Sequence, residues 1–229
     1  LSHTARNRQR PDRGFSIIIA PFLIDRVVAM TDAQPPVQTP APSAIQSAAV
    51  ELLCPAGTFR NLQYAFAYGA DAVYAGQARY SLRVRNKDLD EENLAKGLAY
   101  AHALGKKFYV VVNIQAHNAK LDTFIRDITP VVQMQPDALI MSDPGLIMLV
   151  REHFPQQAIH LSVQANAVNW ATVKFWQNMG ISRVILSREL SVKEIAQIHA
   201  QVPDIELEVF VHGALCMAYS GRCLLSGYI

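Results

Sequence analysis

From residue 50 onward, short apolar runs alternate with longer stretches whose apolar residues recur every three or four positions. The short runs are bounded by residues typical of turns and predict strands, whereas the longer spacing predicts amphipathic helices. We predict seven strands, at 50–57, 71–76, 107–113, 137–143, 158–164, 182–187 and 204–213. A helix is predicted after each of the first six strands. The helix at 121–134 is expected to break near Pro130, and the last helix should begin with a capping box of Ser191 and Glu194.

The predicted strands have one apolar face and one polar face. The run at 158–164 shows this, with Ile159, Leu161 and Val163 on one side and His160, Ser162 and Gln164 on the other. Strands that alternate with helices predict parallel βαβ units. A doubly wound sheet would bury both strand faces, and no G-x-G-x-x-G follows the first strand. The pattern therefore predicts a (β/α)8 TIM-like barrel, truncated after the seventh strand and unable to close.

The first 49 residues differ in composition from the rest of the chain. A basic stretch precedes an apolar run of about ten residues that Pro21 interrupts, which is too short to span a membrane. From Met30 the chain is rich in Pro, Ala, Gln and Ser, as flexible linkers are. We interpret 1–49 as a disordered or non-native extension and linker, with Met30 as the natural start, and 50–229 as an incomplete barrel domain. A targeting peptide is the alternative interpretation of the first residues.

Charge and cysteine content limit the partners and the cellular location that the sequence allows. The net charge of the 229 residues is +2, and from residue 50 onward acidic and basic residues are equal in number. A nucleic-acid partner therefore requires a local basic patch. Three cysteines are an odd number and do not form a disulfide scaffold, so we expect a reducing, cytoplasmic location. No stretch has the roughly 18 apolar residues that a membrane span requires.

One local patch has the composition expected for RNA binding. The segment RYSLRVRNK (79–87) carries four cations and an aromatic residue, namely Arg79, Tyr80, Arg83, Arg85 and Lys87. Cations hold phosphates while an aromatic ring stacks on a base. The alternative is a solvated loop whose charge is balanced by the following DLDEEN.

Candidate catalytic groups collect where the predicted strands end. Barrel enzymes build their sites at the carboxyl ends of the strands, although loops that begin there are polar in any protein. The candidates at or next to the lumen are His160, Gln164, Arg188, Glu189 and His212. Adjacent residues face opposite ways, so the pattern leaves open which of Arg188 and Glu189 points inward. An inward Arg188 would suit a carboxylate ligand through its bidentate fork.

Cys216 and Cys223 follow the last predicted strand, seven positions apart. Packing, a disulfide, a redox pair, zinc and an iron–sulfur cluster are all compatible with two thiols. A redox pair favours C-x-x-C, zinc favours tighter pairs or histidine partners, and a cluster tolerates wide spacing. The spacing alone leaves packing and cluster ligation open.

The segment EVFVHGALCMAYSGRCLLS (208–226) resembles the signature of the collagenase-like peptidase family. The residues that carry the resemblance are Glu208, Phe210, Gly213, Cys216, Gly221, Cys223 and Ser226. ELLCPAG, GADAVYAG, HLSVQAN and LSREL resemble other blocks of the family in the same order, so the resemblance covers essentially all of 50–229. The segment 79–87 is most similar to the branch linked to 5-hydroxyuridine at the tRNA wobble position.

This resemblance implies a tRNA-modifying enzyme that hydroxylates the wobble uridine. It further implies a [4Fe–4S] cluster, with Cys216 and Cys223 as two ligands and the others beyond Ile229, and prephenate as a small carboxylate cosubstrate. His160, Gln164, Arg188, Glu189 and His212 would then position the base or the carboxylate.

Two alternatives remain, a collagenase-like peptidase and a non-catalytic cluster-binding or assembly protein. The chain has no G-x-S-x-G or H-E-x-x-H, and Ser162 with His160 lacks an orienting third group, which counts against the peptidase.

Overall fold

Eight parallel strands follow one another in sequence order around a closed barrel, with α-helices outside. The computed structural model describes the backbone of residues 15–18 and, with side chains, residues 50–77, 79–82, 90–213 and 219. The strands are β1 (Phe15–Ile18), β2 (Glu51–Pro55), β3 (Ala72–Gly76), β4 (Lys107–Val112), β5 (Ala138–Met141), β6 (Ile159–Leu161), β7 (Arg183–Ile185) and β8 (Glu206–Phe210). The helices are α1 (Phe59–Ala67), α2 (Glu91–Ala103), α3 (Asn118–Gln133), α4 (Pro144–His153), α5 (Trp170–Asn178) and α6 (Val192–Gln201), with a 3-10 turn at Val163–Ala165.

The predicted (β/α) barrel is confirmed, and the seven predicted strands are β2 to β8. The expectation that the barrel cannot close is wrong, because an eighth strand completes it. The remaining position, which the sequence interpretation left empty, holds Phe15–Ile18, paired in parallel with both β2 and β8. Its sequence FSII contains a phenylalanine and two β-branched isoleucines, which suit a strand. The interpretation missed it because four residues are too few for a periodic signal and the surrounding composition resembles a linker. The predictions for 1–14 and 19–49 lie outside the described residues.

Alternation along each strand separates two apolar cores. In β4, Val110 and Val112 belong to the large core between the strands and the helices. Tyr109 and Val111 of the same strand belong to a smaller core inside the barrel. The large core also takes up the apolar face of each helix, as Leu62 does for α1. The barrel interior is therefore packed with side chains rather than open from end to end.

Side-chain caps fix where most of the helices begin. Five helices start after a residue whose side-chain oxygen accepts a backbone N–H bond, namely Thr58, Asp90, Asp143, Asn169 and Ser191. Each such cap is worth about 1 kcal/mol. The predicted capping box of Ser191 and Glu194 is confirmed, with both reciprocal bonds formed. Because these helices start directly after the strand-end loops, their caps hold those loops at the same end of the barrel.

The expected break near Pro130 does not occur, and α3 continues to Gln133. Pro130 lies in the last turn of the helix, where one backbone bond is lost without exposing a buried stretch. The hydroxyl of the preceding residue, Thr129, donates to the Ile125 carbonyl at 2.6 Å. In the described part of the chain, none of the helices is both long and apolar enough to cross a membrane.

Candidate functional site

The two ends of the lumen carry different chemistry. We call the end where the strands begin the lower end, and the end where they finish the mouth. At the lower end, the first residues of four strands are charged, namely Glu51, Lys107, Arg183 and Glu206. At the mouth, the described residues that follow the strands are mostly amides and hydroxyls.

Arg183 holds three carboxylates together at the lower end. Its guanidinium reaches Glu51 Oε1 at 2.7 Å, Glu206 Oε2 at 2.6 Å and Glu208 Oε2 at 3.4 Å. The Tyr109 hydroxyl donates to Glu51 Oε1 at 2.8 Å, and Lys107 Nζ lies 2.8 Å from Glu51 Oε2. We call these groups the Arg183 network. They occupy a layer of the barrel that apolar side chains fill in many such folds.

Burial and charge act differently on the carboxylates of the Arg183 network. Burial opposes ionisation of Glu51, but its hydrogen bond to Arg183 and the Arg183 charge outweigh it and lower the pKa of Glu51 to about 2. Burial raises the pKa of Glu208 to about 7, and the more distant Arg183 opposes this only in part. Glu208 is fully buried, and its Oε1 has no hydrogen-bond partner in the described part of the structure. Near neutral pH, the carboxylate of Glu51 is therefore ionised, whereas that of Glu208 is only partly ionised.

The structure places His160 beside the Arg183 network and away from the mouth. His160 lies opposite Arg183 in the pairing of β6 with β7, and its ring packs edge-on against Tyr109 with 4.7 Å between centroids. Burial and then the Arg183 charge lower the pKa of His160 well below its ordinary value, so the ring is neutral. The alternation of polar and apolar residues along the strand correctly placed His160 in the lumen. It does not indicate whether a residue lies near the lower end or near the mouth. The structure thus does not bring His160 together with Gln164, Arg188 and His212.

A hydrogen-bonded set of neutral groups lines one side of the mouth. Ser142 Oγ lies 3.0 Å from the Asn113 carbonyl oxygen and 3.2 Å from Gln164 Oε1. A hydroxyl has one proton and cannot donate to both oxygens. Reversing the Gln164 carboxamide lets its nitrogen donate to Ser142 while Ser142 donates to Asn113, and this orientation satisfies all three groups. Gln164 then presents its oxygen away from Ser142 as a hydrogen-bond acceptor.

Next to Gln164, two buried oxygens have no partner among the described residues. They are Asn166 Oδ1 and Ser187 Oγ. Asn166 adopts the left-handed conformation, with φ of 51°, and its Nδ2 donates to the Gln164 carbonyl at 3.0 Å. The Ser187 N–H donates to the Ala167 carbonyl at 3.3 Å, which brings the two loops into contact. Neither Asn166 nor Ser187 was among the candidate catalytic residues.

The structure answers which of Arg188 and Glu189 points inward. The Arg188 guanidinium lies over the Phe210 ring, 4.0 Å from its centroid. Phe210 packs against the lumen core, so Arg188 lies at the mouth. Glu189 is exposed, as is His212, which follows β8 at the rim. Phe210 itself was missed as a site residue because an aromatic residue in a strand predicts packing.

The structure corrects the prediction that Tyr80 stacks on a base. Tyr80 is fully buried, packs edge-on against Phe124 and donates its hydroxyl to Asp127 at 2.8 Å. Its neighbour Arg79 is exposed and forms an ion pair with the same Asp127. Arg83, Arg85 and Lys87 lie outside the described residues, and their proposed RNA contacts stay a prediction.

The predicted cluster ligands Cys216 and Cys223 also lie outside the described residues. Cys54 is the cysteine that the structure describes, and it packs on the outer side of the barrel against the large core. Burial, followed by the charge of Asp71, raises the pKa of its thiol and disfavours the thiolate that a metal requires. Within the described ranges, no group of three or more His, Cys, Asp or Glu side chains is arranged to hold a metal.

Comparison with known proteins finds one matching family and several relatives, whose similarity to this chain lies in the barrel. Residues 57–229 match the family model described as peptidase family U32. Over 179 residues the chain is 79% identical to the tRNA hydroxylation protein P of Escherichia coli K12, covering 78% of this chain and 40% of that protein. It is 36% identical over 182 residues to the 23S rRNA 5-hydroxycytidine C2501 synthase of the same organism, covering 80% of this chain and 27% of that protein.

A solved structure shares the architecture at low sequence identity. A structure described as a U32 peptidase superposes with a TM-score of 0.61 and 12% identity, covering 74% of this chain and 72% of that one. This likeness shows the fold alone. The chain spans about 40% of the length of the E. coli tRNA hydroxylation protein.

Proposed function

This chain belongs to peptidase family U32, and on that premise we propose that it forms the barrel part of an enzyme that hydroxylates the wobble uridine of tRNA to 5-hydroxyuridine. The observation that carries the proposal is its 79% identity over 179 residues to a protein named for tRNA hydroxylation. A second relative is named for making 5-hydroxycytidine in 23S rRNA, so RNA hydroxylation recurs among the relatives.

The chemistry of the mouth supports this proposal. Replacing C5–H of uracil by C5–OH is a two-electron oxidation of a base that is normally stacked, so the base must be extruded and held. Gln164, Asn166 and Ser187 offer neutral hydrogen-bonding groups of the kind that recognise the edge of a base. Arg188 on Phe210 provides a flat cationic surface for stacking. In the proposal these residues bind and orient the base, and His212 contacts the RNA at the rim.

The outer face of α1 offers a second feature that fits RNA. Arg60 and Tyr64 of α1 and Tyr68, which caps its carboxyl end, follow one another at intervals of four. They therefore lie on one side, and all three are exposed. The Arg60 guanidinium lies over the Tyr64 ring, 5.6 Å from its centroid. α1 carries no acidic residue and begins at the mouth. We propose that this face, the α1 face, contacts the RNA outside the mouth, together with Arg79, Arg83, Arg85 and Lys87.

The cofactor part of the proposal is an iron–sulfur cluster on Cys216 and Cys223, completed by ligands from the longer protein, with prephenate as a carboxylate cosubstrate that Arg188 binds. A bound cluster supplies electron transfer, which none of the described side chains at the mouth provides. In the full-length protein purified without oxygen, Cys216→Ala should remove the visible absorption, the iron and the sulfide of the cluster. Equal iron and sulfide in the variant and the unchanged protein would contradict this part.

The experiment that tests the function is nucleoside analysis of tRNA by mass spectrometry. The gene is deleted in its host, together with any second route to the same nucleoside, and restored as the full-length gene. We expect 5-hydroxyuridine to disappear on deletion, to return with the unchanged gene and to stay absent with Gln164→Ala. Glu152→Gln, on the exposed side of α4, serves as the control that restores the nucleoside. Unchanged 5-hydroxyuridine after deletion refutes the proposal.

The structure gives no support to the peptidase alternative. Ser162 Oγ accepts a bond from the Gln164 N–H at 3.5 Å, as the cap of the 3-10 turn. His160 Nδ1, on the same strand, has no partner among the described residues. A serine nucleophile needs a base that takes its proton, and this pair shows no such contact.

A further inference from the structure

We infer that Asn166 and Ser187 form the part of the mouth that tells uracil from cytosine, with the Asn166 carboxamide oxygen accepting N3–H of the base. This inference rests on the proposed function and deepens it, because it assigns the specificity to two residues. It starts from the two buried oxygens at the mouth that have no partner among the described residues.

The orientation of the Asn166 carboxamide is fixed by its neighbour. The Gln164 carbonyl can only accept a hydrogen bond, so the Asn166 atom that lies 3.0 Å from it is the nitrogen. The oxygen is therefore the group left over, and it can only accept. A left-handed asparagine at φ of 51° is uncommon for a residue with a side chain, and it aims this acceptor in a fixed direction.

Ser187 supplies the complementary group from the neighbouring loop. It is 3% exposed, and its backbone N–H bonds to the carbonyl of Ala167, the residue directly after Asn166. Its hydroxyl can donate as well as accept. A buried polar group without a partner lowers stability, so two of them in adjoining loops point to a ligand that pairs with both.

The pair matches the edge of uracil better than that of cytosine. Uracil presents one donor, N3–H, between two carbonyl acceptors, so N3–H meets the Asn166 oxygen and a carbonyl accepts from Ser187. Cytosine in the same position turns its N3 lone pair towards the Asn166 oxygen, and two acceptors repel. Cytosine can bond to the pair only by sliding along its edge, which moves C5 away from the place that uracil C5 occupies. A misplaced reacting atom costs rate even where binding survives.

Both oxygens lie below the surface, so the contact forms only as the mouth opens around the base. Base-flipping enzymes likewise hold the extruded base in a close-fitting pocket. The guanidinium of Arg188, stacked on Phe210, lies at the mouth and provides a flat surface against which the ring of the base can rest.

The test compares anticodon stem-loop RNAs that differ only at the wobble position. Fluorescence anisotropy measures their affinity for the full-length protein, with uridine, cytidine, 3-methyluridine or an abasic site at that position. We expect uridine to bind about tenfold more tightly than cytidine and 3-methyluridine, since each of these lacks N3–H. Asn166→Gly keeps the left-handed backbone and removes only the side chain, and it should bring the three affinities together.

Ser187→Ala and Gln115→Leu complete the design. Removing an unpartnered hydroxyl should leave thermal stability unchanged or higher, while the affinity for the uridine RNA falls. Gln115 is an exposed residue beyond β4, and its replacement should change neither stability nor the uridine-to-cytidine ratio. If deletion of the gene leaves 5-hydroxyuridine in tRNA unchanged, the proposed function fails. If the unchanged protein binds the uridine and cytidine RNAs equally, the inference alone fails. If it discriminates and Asn166→Gly discriminates equally well, the inference alone fails.

Discussion

At the scale of single residues, the Arg183 network shows how position decides protonation. Glu51 bonds directly to Arg183, Lys107 and Tyr109, and its pKa falls to about 2 although burial opposes this. Glu208 shares the same arginine at a longer distance, and burial raises its pKa to about 7. At neutral pH, Glu51 is therefore ionised, whereas Glu208 lies near the midpoint of its titration.

This difference predicts a specific pH dependence of stability. The raised pKa of Glu208 means that the folded chain binds this proton more tightly than the unfolded chain, where the ordinary value is 4.5. Its contribution is fully present below that value and is lost as the pH rises through about 7. Glu208→Gln cannot ionise, so between about pH 5 and pH 7.5 it should lose about 2 kcal/mol less unfolding free energy than the unchanged chain.

Urea unfolding across this pH range measures the difference. Glu152→Gln replaces an exposed glutamate by the same chemistry and should follow the unchanged chain at every pH. Parallel pH profiles for Glu208→Gln and the unchanged chain would show that Glu208 is ionised throughout and would contradict the prediction.

The sequence predicted the position of a side chain correctly where that position depends on a single strand. Alternation along β6 placed His160 in the lumen, and it did so correctly. The contact of Arg188 with Phe210 joins two strands, and no pattern within either segment predicts it. Tyr80 failed for a related reason, because its burial depends on Phe124 and Asp127 more than forty residues away.

At the scale of elements, the α1 face carries the next prediction. Tyr64 and Tyr68 are 51% and 73% exposed, so replacing them by alanine removes little packing and should leave stability nearly unchanged. Stacking of a base on an aromatic ring is worth about 1–3 kcal/mol. Tyr64→Ala with Tyr68→Ala should therefore weaken tRNA binding by the full-length protein by about tenfold.

Phe175→Ala on α5 provides the matched control, since Phe175 is 56% exposed and lies on another helix of the same barrel. Filter binding of labelled tRNA to both proteins makes the comparison. Equal affinity of the α1 and α5 variants would remove the α1 face from the proposed RNA interface.

Elements were predictable in type but not always in extent. The strands β2 to β8 follow from apolar runs that need no knowledge of their neighbours. β1 could not be predicted in this way, because its four residues form a strand by pairing with β2 and β8 on either side. The continuation of α3 past Pro130 likewise depends on where the proline falls within the helix, and a last-turn proline costs little.

At the scale of the whole molecule, the polar chemistry is divided between the two ends of one lumen. The lower end holds charges that bind one another, whereas the described part of the mouth combines neutral amides and hydroxyls with the cation of Arg188. Acidic and basic residues balance from residue 50 onward, so the proposed RNA binding depends on local surfaces such as the α1 face rather than on a long-range field. The barrel predicts the place of the site at the carboxyl ends of the strands, and the chain spans about 40% of the length of the E. coli tRNA hydroxylation protein.

The Arg183 network also closes one end of the barrel lumen. Because the lower end is filled, the lumen is open only at the mouth. A ligand that enters there must also leave there. Under the proposed function, a modified base must therefore leave through the mouth before the next base can enter.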